Sequence, residues 1–273
     1  MSGRTQGGRQ TNRGGGHDLK ELSARLRSAR RLEIVLDYDG TLVPFADHPE
    51  DAAPDSELLG LLARLAERPG TRVHVVSGRS KESLERWLGH LPAGLYAEHG
   101  YWERPIKRGG WRQTQHFPNG WKEKIRPILE HFVETTRGSF IEEKSASLVW
   151  HYRRAARRGH GNEEYGELRA RELRAMLGDL FATEPVEVIA GSKAVEVRSL
   201  GVHKGTIVSF LTSEEPVPAV VLAIGDDRTD EDLFAALPPD AACVHVGDGE
   251  SIAQYRVRDV PGVRRLLFAL LTP

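Results

Sequence analysis

Leu32-Glu33-Ile34-Val35-Leu36-Asp37-Tyr38-Asp39-Gly40-Thr41-Leu42 is the stretch whose reading decides this chain. Its first five residues are mostly apolar with β-branched side chains at the centre, the pattern of a buried parallel strand. Open α/β sheets bind their ligands beyond the carboxyl ends of strands, and there Asp37 and Asp39 stand two residues apart. One carboxylate can attack a phosphorus atom while the other handles a proton, and Gly40 lets the backbone turn sharply away. A solvated loop is the competing reading, since D-x-D pairs are frequent by chance.

Outward from this strand the chain alternates. Asp55–Arg68 reads as a helix with Leu58, Leu61, Leu62 and Leu65 on one face, Arg72–Val76 as a strand, Lys81–His90 as a helix and Leu95-Tyr96-Ala97 as a third strand. The alternation returns late, with a helix at His203–Leu211, a strand at Ala219–Ile224, a helix at Thr229–Leu237, a strand near Ala242–Val246 and a last helix from Gly262. Between them lie a helix (Gly120–Arg137), strands Ser139–Glu143 and Ser147–Tyr152, a charged helix (Glu163–Leu180) and strands Val186–Ile189 and Ala194–Arg198. The expected fold class is α/β: a doubly wound, Rossmann-like parallel-sheet core with an inserted α+β cap. The expected division is a core of residues 18–103 and 198–273, a cap of 104–197 and a disordered tail of 1–17, where residues 1–16 hold six glycines and three arginines.

Three further elements surround the Asp pair. Val75-Val76-Ser77-Gly78-Arg79 ends the second strand, where a hydroxyl and backbone N–H groups before a helix form an anion site. Ser77, with Arg79, is expected at a phosphate; a helix N-cap is the plainer role for Ser77. His203-Lys204-Gly205 opens a later helix, and Lys204 supplies either a point charge for the phosphate and Asp37 or an ordinary surface cation. Gly225-Asp226-Asp227-Arg228-Thr229-Asp230-Glu231-Asp232 follows another apolar strand. So many acids suit hard oxygen ligation of Mg²⁺, with Asp226 and Asp230 as the ligands. Glu231 and Asp232 also fit the acid-rich first turn of a helix.

These four elements, in this order, resemble the haloacid dehalogenase superfamily of aspartyl-phosphate phosphatases. The resemblance implies Asp37 as nucleophile and Asp39 as general acid/base. It also implies Ser77 and Lys204 at the phosphate, and Mg²⁺ held by Asp37, the Asp39 carbonyl and Asp226, with Asp230 behind or bound through water. Further motifs narrow it: Ser77-Gly78-Arg79, Ala97-Glu98-His99-Gly100, Phe140-Ile141-Glu142-Glu143-Lys144, Trp150-His151-Tyr152-Arg153, Lys193-Ala194-Val195-Glu196-Val197-Arg198 and the run from Gly225 to Phe234. From Leu32 onward the chain resembles trehalose-6-phosphate phosphatases, especially the phosphatase halves of bifunctional trehalose synthase/phosphatase proteins. Glu142, Lys144 and Glu196 then match the residues that grip glucose hydroxyls, as charged hydrogen-bonding groups do; an exposed strand face is the plainer reading of Glu142 and Lys144. Ser199 and His203 depart from the family's usual Pro and Asn. With 31 residues ahead of the first strand, no synthase half is expected in this chain, and a separate trehalose-6-phosphate synthase is the partner implied.

Composition excludes other classes. Hydrophobic residues at 39% and charged residues at 28% describe an ordinary globular protein, and a net charge of −1 gives no bulk attraction to nucleic acid or membrane. The run Arg153, Arg154, Arg157 and Arg158 reads as a solvated face or a phosphate contact. The lone Cys243 sits in an apolar run as a core thiol, which fits a reducing, cytoplasmic setting. No stretch approaches the ~20 apolar residues of a membrane helix, and no signal-peptide h-region opens the chain. The expected activity is Mg²⁺-dependent hydrolysis of trehalose 6-phosphate. Its rivals are a phosphatase for sucrose phosphate or glucosylglycerol phosphate and a non-catalytic trehalose-6-phosphate-binding module.

Overall fold

The computed structural model describes residues 17–46, 48–106, 109–155, 163–212 and 219–272. Its elements run α1 (His17–Ser28), β1 (Leu32–Leu36), α2 (Ser56–Glu67), β2 (Thr71–Val76), α3 (Lys81–Leu88), β3 (Gly94–Ala97), β4 (Trp102–Arg104), β5 (Arg112–Gln113), α4 (Trp121–Thr135), β6 (Phe140–Glu143), β7 (Ser147–His151) and α5 (Glu163–Leu180). There follow β8 (Val186–Gly191), β9 (Ala194–Ser199), α6 (Val208–Thr212), β10 (Val220–Gly225), α7 (Arg228–Ala236), β11 (Ala242–Val246), β12 (Tyr255–Val257) and α8 (Val260–Ala269). Residues 1–16 of the expected tail, and Arg157 and Arg158 of the basic run, lie outside the described residues.

Two sheets organise the molecule. The larger has the order β12-β11-β10-β1-β2-β3-β4-β5, parallel from β12 to β3 and antiparallel beyond. All five residues of β1 are buried, and alternate side chains feed two cores. Ile34, Leu36, Val73 and Val75 pack with the buried leucines of α2 and α3, while Val35, Val76 and Ala223 pack with Ile207, Leu233 and Phe234 on the other face. Helices on both faces are the physical meaning of a doubly wound sheet. Cys243 belongs to the second core, and burial pushes its thiol up to about 12.

Four segments appear that the pattern did not announce. Helix α1 buries Leu22 and Leu26. Strands β4, β5 and β12 have only two or three residues each, too few for a period-2 signal, and they take their pairing from neighbours already in place. Arg112–Gln113 pairs with Trp102–Glu103, so the larger sheet draws a strand from beyond residue 104.

The smaller sheet, β6-β7-β9-β8, is antiparallel throughout. Its inner face is covered by Trp121, Ile125, Leu129 and Phe132 of α4 and Leu173 and Leu177 of α5, which meet Leu148, Trp150, Val195 and Val197. Alternation then turns the intervening residues the other way. The register sets Glu142 opposite Val149 and Val149 opposite Glu196, so both glutamates lie in one row on the uncovered face. Among the described residues no helix is long and apolar enough to cross a membrane.

Candidate active site

The registers of β1 with β2 and β10 pair Leu36 with Val75 and with Ile224, so the three strands end level. Asp37, Ser77 and Asp226 therefore emerge at one edge, with the turn at Gly40 between them. Gly40 has φ +80°, and a Cβ there would stand 2.2 Å from Asp226 Oδ2, so only glycine lets the two loops meet.

Lys204 is 2% exposed, which removes the surface-cation reading. It opens a 3₁₀ turn (Lys204–Ile207) that leads into α6, and its ammonium donates to Asp37 Oδ1 at 2.6 Å and Asp230 Oδ1 at 2.9 Å. The second oxygen of Asp230 accepts from the backbone N–H groups of Asp226 and Asp227 at 3.1 and 3.2 Å. Asp227 is the N-cap of α7, accepting from Thr229, and these bonds with Lys204 nearby hold its carboxyl at about 2 despite burial. Glu231 and Asp232 have plain structural work: Glu231 accepts from the Ile252 N–H, and Asp232 pairs with Arg228.

Asp37, Asp226 and Asp230 bring carboxylate oxygens within 4.8 Å of one another. Burial and the neighbouring carboxylates of Asp227 and Asp230 push Asp226 up to about 7. Burial also raises Asp37 well above the usual carboxylate range, against the pull of Lys204. A donor set made only of oxygen, with more negative charge than Lys204 offsets, fits a hard divalent cation such as Mg²⁺.

Ser77 is 1% exposed and its hydroxyl accepts from the Arg79 N–H at 3.2 Å. It is not a helix N-cap: α3 begins at Lys81, as the sequence reading has it, and Ser80 caps it, accepting from the Ser83 N–H. Arg79, expected at the phosphate, has its guanidinium on both oxygens of Asp39, at 2.7 and 2.6 Å, and lies over the rings of Trp87 and Tyr38 at 4.7 and 5.6 Å.

A cavity of about 280 Å³ joins this edge to the uncovered face of the smaller sheet; Asp37, Asp39, Ser77 and Lys204 line it from one side, Glu142 and Lys144 from the other. Glu142 pairs with His151 at 2.8 Å and lies 4.0 Å from Lys144. Burial opposes the charge of Lys144, but Glu196, Glu142, Glu98 and Asp39 outweigh it and raise the ammonium above its ordinary value. Burial would likewise raise Glu196, yet His99 at 3.3 Å and Lys144 hold it well below the usual carboxylate range. Sequence reading gave no role to His151, stacked on Phe140 at 4.7 Å, or to His99, although both sit in motifs that carried the resemblance. Arg153 and Arg154 line the same cavity, so that part of the basic run faces the site.

Comparison with known proteins decides the family. The trehalose-phosphatase family model matches residues 35–261. The chain belongs to the trehalose-phosphatase family. It is 41% identical over 255 residues to a bifunctional trehalose-6-phosphate synthase/phosphatase of Thermoproteus tenax, covering 93% of this chain and 34% of that protein. The chain spans about a third of the length of the curated relatives it matches first. The C-terminal domain of C. albicans trehalose-6-phosphate phosphatase superposes with TM-score 0.86 at 32% identity, over 93% of this chain and 96% of that one. A haloacid dehalogenase-like hydrolase from Bacteroides thetaiotaomicron shares the fold at TM-score 0.59, with 16% identity and coverage of 87% and 98%. The expected α/β core with a cap is thus the fold of this family.

Proposed function

We propose that this protein hydrolyses trehalose 6-phosphate to trehalose and phosphate through an aspartyl-phosphate intermediate. One observation carries the reading: a single cavity is lined by a buried Asp–Lys pair on one side and by sugar-reading candidates on the other. The proposed division is a core of residues 18–103 and 198–273 with a cap of 104–197, except that Arg112–Gln113 pairs into the larger sheet and belongs with the core. The cap closes over the phosphoryl group and excludes water.

In this reading a free oxygen of Asp37 attacks phosphorus, and Lys204 on Oδ1 fixes the carboxylate and offsets charge on the phosphoryl oxygens. The P–O bond to the sugar breaks, and the departing O6 takes a proton from Asp39. The Asp39 carboxylate then takes a proton from water as that water attacks phosphorus, the bond to Asp37 breaks, and phosphate leaves. Asp39 has to release Arg79 on at least one oxygen to carry that proton. Ser77 donates its hydroxyl to the phosphate. Mg²⁺, held by Asp37, Asp226 and the Asp39 carbonyl with Asp230 through water, would supply charge neutralisation for the phosphoryl group. Glu142, Lys144 and Glu196 bind hydroxyls of the glucose unit remote from the phosphate. The substrate would come from a separate trehalose-6-phosphate synthase in the cytoplasm, with no nucleic acid or membrane involved.

The test is phosphate release from trehalose 6-phosphate, sucrose 6-phosphate, glucosylglycerol phosphate and p-nitrophenyl phosphate, with Mg²⁺ or excess EDTA. Trehalose 6-phosphate should be the preferred substrate and EDTA should stop turnover. Glu142→Ala or Glu196→Ala should each cost about 1–3 kcal/mol in kcat/KM for trehalose 6-phosphate, the range for hydrogen bonds to charged groups. Hydrolysis of p-nitrophenyl phosphate, too short to reach them, should hardly change. Equal slowing of both substrates would remove these residues from sugar recognition.

A further inference from the structure

Two consecutive residues after β3, Glu98 and His99, have left-handed backbone, with φ of 49° and 59°. That region is uncommon for residues with a Cβ, and it persists only where the surroundings enforce it. The enforcement is visible: Glu98 N–H donates to the Arg79 carbonyl and His99 N–H to the Ser77 carbonyl, both at 2.9 Å. The pair is thus bonded to the loop proposed to hold the phosphate.

Their side chains leave in the other direction. Glu98, 5% exposed, accepts from Ser145 N–H at 2.7 Å, Ser145 Oγ at 2.9 Å and Ala146 N–H at 3.3 Å, in the turn between β6 and β7. Lys144 is the next residue back in that turn, and its own N–H closes the turn on the Ser147 carbonyl at 3.0 Å. His99 Nε2 meets Glu196 Oε2 on β9 at 3.3 Å. Room for this ring comes from Gly78, where a Cβ would stand 2.8 Å from His99 Nε2. One two-residue segment therefore touches the phosphate loop through its backbone and reaches, through its side chains, Glu196 and the turn that carries Lys144, two of the three cap positions proposed to read the sugar.

We infer that Glu98, with His99 beside it, is a positioning device that fixes Lys144 and Glu196 at a set distance from the phosphate loop, so that the site selects a phosphate and a remote hydroxyl cluster held in one rigid molecule. Glu98 acts through Lys144 and touches no reacting atom. The selectivity part rests on the sugar-phosphate reading above; the mechanical part does not.

Glu98→Ala tests both. Alanine removes both oxygens that accept from the turn; glutamine would not, because the Ser145 and Ala146 N–H groups share Oε2 and an amide oxygen could still take both. The variant should lose about tenfold or more in kcat/KM for trehalose 6-phosphate, mainly through KM, while p-nitrophenyl phosphate hydrolysis stays within about twofold. A double variant with Lys144→Ala should be no worse than Lys144→Ala alone, because residues acting as a unit are not additive. Multiplying losses, or equal slowing of both substrates, would overturn the assignment. Hydrogen exchange gives a reading independent of substrate: the Ser145 and Ala146 amides, which lose their acceptor, should exchange at least about tenfold faster in Glu98→Ala, with β1 and β2 unchanged. Unchanged exchange in that turn would overturn the mechanical claim even if wild-type protein ignored trehalose 6-phosphate, a result that by itself would refute only the sugar-phosphate reading. Should Glu98→Ala fail to fold, Glu98→Asp, one methylene too short to reach the turn, should show the same pattern at smaller amplitude; a silent Glu98→Asp in both assays would overturn the inference.

Discussion

Replacing Lys204 with methionine is the sharpest test of how the candidate site is held together. The ammonium is 2% exposed and is shared by Asp37 and Asp230, with Asp226 and Asp227 close by. Methionine keeps most of the length and apolar volume of the stem and removes the cation, leaving buried carboxylates facing one another. Removing one partner of a buried ion pair costs about 3–5 kcal/mol. At about 2–4 °C per kcal/mol for large domains, Tm should fall by about 6–20 °C. The measurement is thermal unfolding of wild-type and Lys204→Met protein in EDTA, then with millimolar Mg²⁺. A cation bound at Asp37 and Asp226 stabilises the folded state by mass action, so Mg²⁺ should raise the variant's Tm more than that of wild type. Turnover should stay low in both conditions, because in the proposed reaction Lys204 is the positive contact of the phosphate. A variant within 2 °C of wild type in EDTA would refute the claim that Lys204 is the structural counter-charge. An unfolding temperature indifferent to Mg²⁺ would refute the cation site.

Asp37→Asn should abolish turnover while the far-ultraviolet circular dichroism stays unchanged, and retained turnover would end the aspartyl-phosphate reading. Gly40→Ala should reduce Mg²⁺ affinity and activity together and cost about 1–2 kcal/mol of stability in denaturant titration, since the residue sits at φ +80° and its methyl would displace Asp226. Glu33, buried on β1, takes hydrogen bonds from His74 at 2.9 Å and Arg72 at 2.6 Å, which outweigh burial and hold its carboxyl below the usual value. The stability it gives is present above the unfolded value of about 4.5 and is lost as pH falls through the lower folded value, so Glu33→Gln should flatten that acid limb of the unfolding curve.

The core was legible because its strands carry long-range information in short words. Leu32–Leu36 and Ala242–Val246 are buried throughout, and the leucine face of α2 is the one that packs. Acid and lysine motifs at strand ends were legible for a related reason: charged residues beside apolar strands have few structural uses. Arg79 was harder, because its partner Asp39 is forty residues away in sequence and the aromatic slot of Tyr38 and Trp87 leaves no local signature. The N-cap alternative for Ser77 could have been set aside from the sequence, since the helix was read from Lys81 and its cap position then falls on Ser80. The role of His99 was invisible for the same reason as that of Arg79: its partner lies on another sheet and its backbone angle is a tertiary outcome.

The two sheets also differ in how far apart in the chain their partners lie. In the smaller sheet β6 meets β7 and β8 meets β9 across short turns, whereas β1 must wait for β10, with Leu32 opposite Val220. Loop closure over such a separation is slow compared with hairpin formation. A ribosome therefore releases a complete inserted sheet before the central strand of the larger one has found its second neighbour. Until β10 emerges, β1 exposes an unpaired edge of five buried-type residues beside β2, a template for wrong pairing. For this chain the vulnerable interval of biogenesis lasts until β10 has emerged, and chaperone demand should track translation speed from β9 through β10.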